Sequence, residues 1–172
     1  MRESIVFIGM SGAGKSTVGV LLAKALGLGF VDTDIVIQQQ TGRTLQDILD
    51  KDGIDAFLKI EEDAVTGLCA PKCVIATGGS VVYSPAAMAA LRAQGIVVYL
   101  SAPFSELEAR LTNISTRGIV IRPGATLRQV FDERKPLYEK YCDITVDCSG
   151  CDTEKCVAGT IEALKAAVPW NV

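Results

Sequence analysis

Residues Gly9 to Ser16 read GMSGAGKS, a glycine-rich stretch closed by a lysine and a hydroxyl. Such a turn aims successive backbone N–H groups at one point, and a helix starting at its end adds the positive end of its dipole. That combination receives phosphate. Gly9, Gly12, Ala13 and Gly14 supply main-chain room and donors, and Lys15 can reach the β- and γ-phosphates of a nucleotide. The Ser16 hydroxyl can ligate Mg²⁺, and Thr17 follows in the first helical turn. A tight turn of similar composition is the alternative, and the flanks argue against it. SIVFIG reads as a buried parallel strand and TVGVLLAKAL as the helix that follows.

A second set of polar residues follows the next strand. Asp32 and Asp34 in FVDTDIV are alternate residues, so in an extended segment both would face one side, toward bound ligand, before any helix begins. One carboxylate near Mg²⁺ can orient its water shell. The other, Asp34, can accept a hydrogen bond from an acceptor hydroxyl and take its proton. Helix capping and loop solvation would use aspartate equally well. Gly78 and Gly79, in ATGGSVV, can let a substrate approach the main chain and place an N–H beside it, or can simply form a strand-terminal turn. Arg134, in ERKPLYEKY, can grip a carboxylate with both arms of its guanidinium; a solvated helical ion pair is the other reading.

These groups need a scaffold, and the apolar pattern provides one. Strands are expected at Ile5–Ile8, Gly29–Asp32, Val74–Ala76, Ile96–Leu100 and Ile144–Val146. Helices are expected near Lys15–Leu26, Thr44–Leu49, Ile54–Leu68, Pro85–Ala93, Phe104–Leu111, Leu127–Tyr141 and Thr153–Ala167. Short apolar strands alternating with helices predict a parallel sheet covered on both faces, with ligands beyond the strands' carboxyl ends. The segment 112–124, TNISTRGIVIRPG, joins two helices and carries Arg117 and Arg122. Beside a phosphate-binding turn it reads as a mobile lid whose cations meet phosphate; a solvated surface loop is the alternative.

Composition sets bounds. The chain of 172 residues is expected to form one domain, 1–172. No apolar run approaches membrane-spanning length, and MRESIVFIG reads as passing straight into the first strand, so no cleavable leader is expected. A cytoplasmic protein without membrane or nucleic-acid partners is therefore expected, consistent with a formal charge of -3. The absence of histidine excludes imidazole-based proton transfer and imidazole-ligated metal. Of six cysteines, Cys142, Cys148, Cys151 and Cys156 cluster. They read as reduced thiols, a small metal or redox site at Cys148 and Cys151 being the alternative.

In combination, GMSGAGKS, the DTD of Asp32–Asp34, the glycine pair of ATGGSVV, the arginine-bearing STRG segment and ERKPLYEKYCD resemble the shikimate kinase family over nearly the whole chain. The resemblance implies a three-layer α/β/α P-loop kinase fold with a five-stranded parallel sheet. It also implies transfer of the γ-phosphoryl group of ATP to the 3-hydroxyl of shikimate. By that resemblance Asp34 holds the acceptor hydroxyl and Asp32 lies near Mg²⁺. Gly78 and Gly79 line the acceptor pocket, Arg117 closes on phosphate, Arg134 binds the carboxylate, and Arg110 lies beside adenine. A monomer suffices for this chemistry.

Three positions depart from the family pattern. Leu58 stands where an arginine would grip the acceptor carboxylate; Ser80 replaces a third glycine; Gly118 replaces a lid proline and is expected to loosen the backbone. Lys59, Arg43 and Arg122 are the cations available to compensate for Leu58. A kinase for another small hydroxylated acid or amino acid, homoserine for example, is the nearest rival reading, with gluconate weaker. A non-catalytic nucleotide-binding regulator is the rival from a different class.

Overall fold

The computed structural model describes residues 2–111 and 118–167. Five strands, β1 (Ser4–Ile8), β2 (Gly29–Asp32), β3 (Cys73–Ala76), β4 (Gly95–Ser101) and β5 (Ile144–Asp147), form one sheet in the order β2-β3-β1-β4-β5. Every pairing is parallel, with Ile5 opposite Val74 and Ile96, and Val98 opposite Ile144. Ile5, Val6, Phe7 and Ile8 are all fully buried, because helices cover both faces of this central strand.

The covering helices are α1 (Lys15–Leu26), α2 (Thr33–Thr41), α3 (Leu45–Asp52), α4 (Ile54–Thr66), α5 (Pro85–Gln94), α6 (Phe104–Arg110), α7 (Leu127–Tyr141) and α8 (Thr153–Ala167). Their starts carry recognisable caps. Thr44 accepts from the Asp47 N–H, Ser84 from Ala87, and Thr126 and Gln129 form a reciprocal capping box at α7. The expected strands and helices are present. The sequence reading missed α2.

Two apolar clusters support the two sides of the cleft. The larger surrounds the sheet and includes Val18 and Leu22 of α1. The smaller unites Ile37, Leu45, Ile48, Phe57 and Ala64 from α2, α3 and α4 with Val120, which follows the undescribed segment. It holds α4 beside the carboxyl ends of β2 and β3. No described helix is long and apolar enough to cross a membrane.

Candidate active site

The phosphate turn occupies residues 9–14 between β1 and α1. Gly12 and Gly14 have φ of 84° and 92°, a region that side-chain-bearing residues avoid, and no side chain caps α1. The first N–H groups of α1 are therefore directed into the cleft. Lys15 is 7% exposed, and its ammonium donates to the carbonyls of Gly9 (2.8 Å) and Met10 (2.9 Å). Burial lowers its pKa to about 8, against the opposing pull of the Asp34 and Asp32 carboxylates. Arg110, at the end of α6, donates to the Gly12 carbonyl (3.3 Å) and pairs with Glu106 (2.9 Å), so it braces the turn from the nucleotide side.

Asp32 does two jobs at once. Its Oδ1 accepts the Asp34 N–H (3.0 Å) as the N-cap of α2, and its Oδ2 accepts the Ser16 hydroxyl (2.6 Å). A carboxylate and a hydroxyl side by side at the mouth of the phosphate turn are hard oxygen donors. With phosphate oxygens and water they fit a Mg²⁺ shell. Capping and metal-facing geometry are thus compatible rather than alternatives. Asp34 corrects the extended-segment reading: it lies in the first turn of α2 and shares no strand face with Asp32. It still lines the cleft, and burial, with Asp32 adding to it and Lys15 opposing, raises its pKa to about 6.

A cavity of about 880 Å³ runs over the phosphate turn past Arg110 to Cys151 and Cys156. Ser11, Asp34, Gly78 and Gly79 line both this cavity and a smaller cleft, so the two adjoin. The Gly78 N–H donates to the Thr33 hydroxyl (3.3 Å), which leaves it no role as a substrate donor. Gly79 instead supplies space. A Cβ there would sit 3.2 Å from both Arg134 Nη1 and Ser11 Oγ.

Arg134, on α7, is 1% exposed. Its Nε donates to the Tyr83 hydroxyl (3.2 Å) and its Nη2 to the Val120 carbonyl (2.7 Å), while Nη1 faces Gly79. One turn further along α7, the Tyr138 hydroxyl donates to the Gly79 carbonyl (2.6 Å), and its ring stacks on Tyr99 at 5.1 Å. The i, i+4 spacing that puts Arg134 and Tyr138 on one helical face is visible in the sequence, yet only the fold shows what Tyr138 holds.

Glu61 is the site residue that sequence reasoning left without a role. It lies on α4, 2% exposed, and its Oε2 accepts the Ser80 hydroxyl (2.7 Å). Among the described residues Oε1 has no hydrogen-bond partner. Burial raises its pKa to about 7; the Ser80 hydrogen bond opposes the rise and Asp34 adds to it. Ser80, expected from the sequence to be harmless or to narrow the pocket, is what holds this carboxylate.

The three cations expected to compensate for Leu58 are placed elsewhere. Arg43 is held by Asp47 (2.6 Å) and Asp52 (2.6 Å) on α3. Lys59 points outward to Glu62 (3.1 Å) and Asp63 (2.9 Å). Arg122 is 69% exposed and shares a groove with Leu58 and Tyr83 rather than the cleft. Gly118 does not loosen the backbone as expected. It adopts φ 62°, which proline cannot, donates to the Gln46 side chain (3.3 Å), and lies so close to Leu45 that a Cβ would collide. Arg117 falls outside the described residues, as do residues 112–117 of the expected lid 112–124. Among the described residues no group of three or more Cys, Asp or Glu could hold a metal, and the cysteines are free thiols.

A phosphate turn with its lysine, a hydroxyl–carboxylate pair and a buried arginine across two adjoining clefts define a P-loop phosphotransferase for a small anionic alcohol. Comparison with known proteins narrows the class. A family model described as shikimate kinase matches residues 11–165. Shikimate kinase from Pseudomonas entomophila is 38% identical over 170 residues, covering 97% of this chain and 99% of the relative. The Psychrobacter enzyme of the same name is 39% identical over 172 residues, covering 98% and 96%. The structure of Acinetobacter baumannii shikimate kinase in complex with shikimate superposes with a TM-score of 0.85 at 30% identity, covering 96% of this chain and 94% of that one. The chain belongs to the shikimate kinase family.

Proposed function

We propose that this protein transfers the γ-phosphoryl group of ATP to the 3-hydroxyl of shikimate, a step toward aromatic amino acids. The observation that carries the reading is the order of groups along the cleft: Lys15 at the phosphates, Asp34 at the junction, Arg134 at the far end. Asp34 aligns the acceptor hydroxyl and takes its proton as the oxygen bonds to the γ-phosphorus and the bond to ADP breaks. Lys15 and the amides of residues 12–17 balance the charge that spreads over the transferring group. Ser16 and Asp32 would hold Mg²⁺, which when bound neutralises phosphate charge. Arg134 orients the acceptor carboxylate, Gly78 and Gly79 give it room, Arg110 flanks the adenine, and Arg117 closes on phosphate. The protein acts in the cytoplasm as a monomer, without nucleic-acid or membrane partners.

Incubation of the full chain with Mg²⁺, ATP and shikimate should give equimolar ADP and a phosphomonoester whose phosphorus couples to the proton on C3. Phosphate at another carbon, or ADP without a phosphorylated acceptor, would refute the assignment. Leu58 favours one second reading, a single-hydroxyl amino acid such as homoserine as acceptor, because the arginine that would grip the carboxylate is replaced.

A further inference from the structure

The cysteine cluster is a sequence motif that the phosphotransfer chemistry leaves unused. It lies where β5 passes into α8, against the wall of the larger cavity. Cys148 and Cys156 are buried in the main apolar cluster, while Cys151 is partly exposed and lines the cavity. Residues 148–151 form a tight turn. The Cys151 N–H donates to the Cys148 carbonyl (3.3 Å), and Gly150 supplies a φ of 60°. The ends of such a turn lie within about 7 Å, Cα to Cα, and disulfides span about 4.4–6.8 Å. Burial, with the Cys156 thiol adding to it, pushes the Cys148 thiol up. Cys148 therefore stays protonated, and Cys151 is the thiol that meets solvent first.

The same turn is tied to the phosphate turn. Glu106, on α6, accepts the Gly150 N–H at Oε1 (2.9 Å) and the Arg110 Nη2 at Oε2 (2.9 Å). Arg110 Nη1 in turn donates to the Gly12 carbonyl (3.3 Å). A shift of Gly150 thus reaches Gly12 through three hydrogen bonds.

We propose that Cys148 and Cys151 are a redox-modification site for a hydroperoxide, and that the disulfide formed there weakens nucleotide binding. The second half rests on the kinase reading. The Cys151 sulfur attacks one peroxide oxygen, the O–O bond breaks, and water leaves with the Cys151 proton. The Cys148 sulfur then attacks the sulfur of the resulting sulfenic acid. The S–O bond breaks, and a second water carries off the Cys148 proton. Two thiols lose two electrons and two protons, and the peroxide is reduced to water. The new bond draws Cys151 from the cavity wall toward buried Cys148, moves Gly150 off Glu106 and releases the brace of Arg110 on Gly12. Nucleotide in the cavity covers Cys151 and retards the reaction.

The test treats the full reduced chain with a small excess of hydrogen peroxide, with and without ADP, and then cleaves it before aspartate residues. Residues 147–151 come out as one peptide that holds Cys148 and Cys151 and no other cysteine. That peptide should be lighter by the mass of two hydrogens, and less of it should be converted when ADP is present. Calorimetry should show ADP affinity about tenfold lower after oxidation, the loss of one hydrogen bond from a charged donor, and restored by dithiothreitol. Cys151→Ser should show the same ADP affinity before and after peroxide, and Cys156→Ala should still form the bond. A disulfide made only to Cys156, overoxidation of Cys151 without a bond, or an oxidised protein with unchanged ADP affinity would overturn the proposal. Failure of the reduced protein to bind ADP would instead overturn the kinase reading and the nucleotide half of the proposal, and the mass of residues 147–151 would still decide the bond.

Discussion

The nucleotide side of the cleft is built from one continuous stretch, residues 9–17, braced by Arg110 and Asp32; the acceptor side is assembled from α2, α4, the turn after β3 and α7. The first side is lined by backbone amides and one lysine, whose positions follow from a turn between a strand and a helix. The second is lined by Asp34, Glu61 and Arg134, whose positions depend on a separate apolar cluster and on long-range partners. A site made of main chain tolerates little substitution. A site made of side chains from four elements depends on contacts between them, such as the hydrogen bond from the Ser80 hydroxyl to Glu61.

The comparison breaks most visibly at Lys15. Lys15→Ala should lower kcat by about 10²–10³-fold or more with every acceptor, because it removes charge that opposes the build-up on the transferring group. Steady-state kinetics check this; a loss seen mainly in acceptor KM would place Lys15 on the wrong side of the division.

The next effect belongs to the acceptor side alone. Glu61 has a folded-state pKa of about 7 against an ordinary 4.5. Below about pH 4.5 both states are protonated and its contribution to stability is fully present. As pH rises through 7 that contribution is lost, because the unfolded carboxyl ionises first. Glu61→Gln should therefore gain on wild type by up to roughly 3 kcal/mol between pH 5 and 8 without acceptor, read from urea unfolding across that range. A constant difference between the two proteins would show that Glu61 is not the strained group of this cleft.

Arg134→Lys should sharpen the contrast more gently. It keeps the charge but loses the planar fork, so acceptor KM should rise about 10- to 100-fold while ADP affinity stays unchanged. Loss of ADP affinity to the same degree would mean that the two sides are not energetically separable.

Legibility in the sequence follows the same division. The strands and the phosphate turn were readable because buried parallel strands are continuously apolar and the turn is local. Helix α2 was not, since TDIVIQQQT buries only Thr33 and Ile37 and shows no strong amphipathic stripe; Asp34 was therefore given the wrong backbone. Ser80 and Glu61 are 19 residues apart and meet only once α4 lies over the β3 turn. Gly118 looked permissive because glycine usually is, yet its positive φ and its contact with Leu45 make it a fixed point. Arg43 looked available although Asp47, four residues on, already offered a partner; that Asp52 also turns back to it shows only in the fold.

The decisive measurement is kcat/KM for shikimate against homoserine and gluconate at saturating Mg²⁺ and ATP, under reducing conditions that protect Cys151 and its neighbours. An acceptor side shaped for a ring-held 3-hydroxyl at Asp34 and a carboxylate at Arg134 predicts shikimate preferred by about 100-fold or more. Preference for homoserine or gluconate, or nucleotide binding without turnover of any of the three, would contradict it.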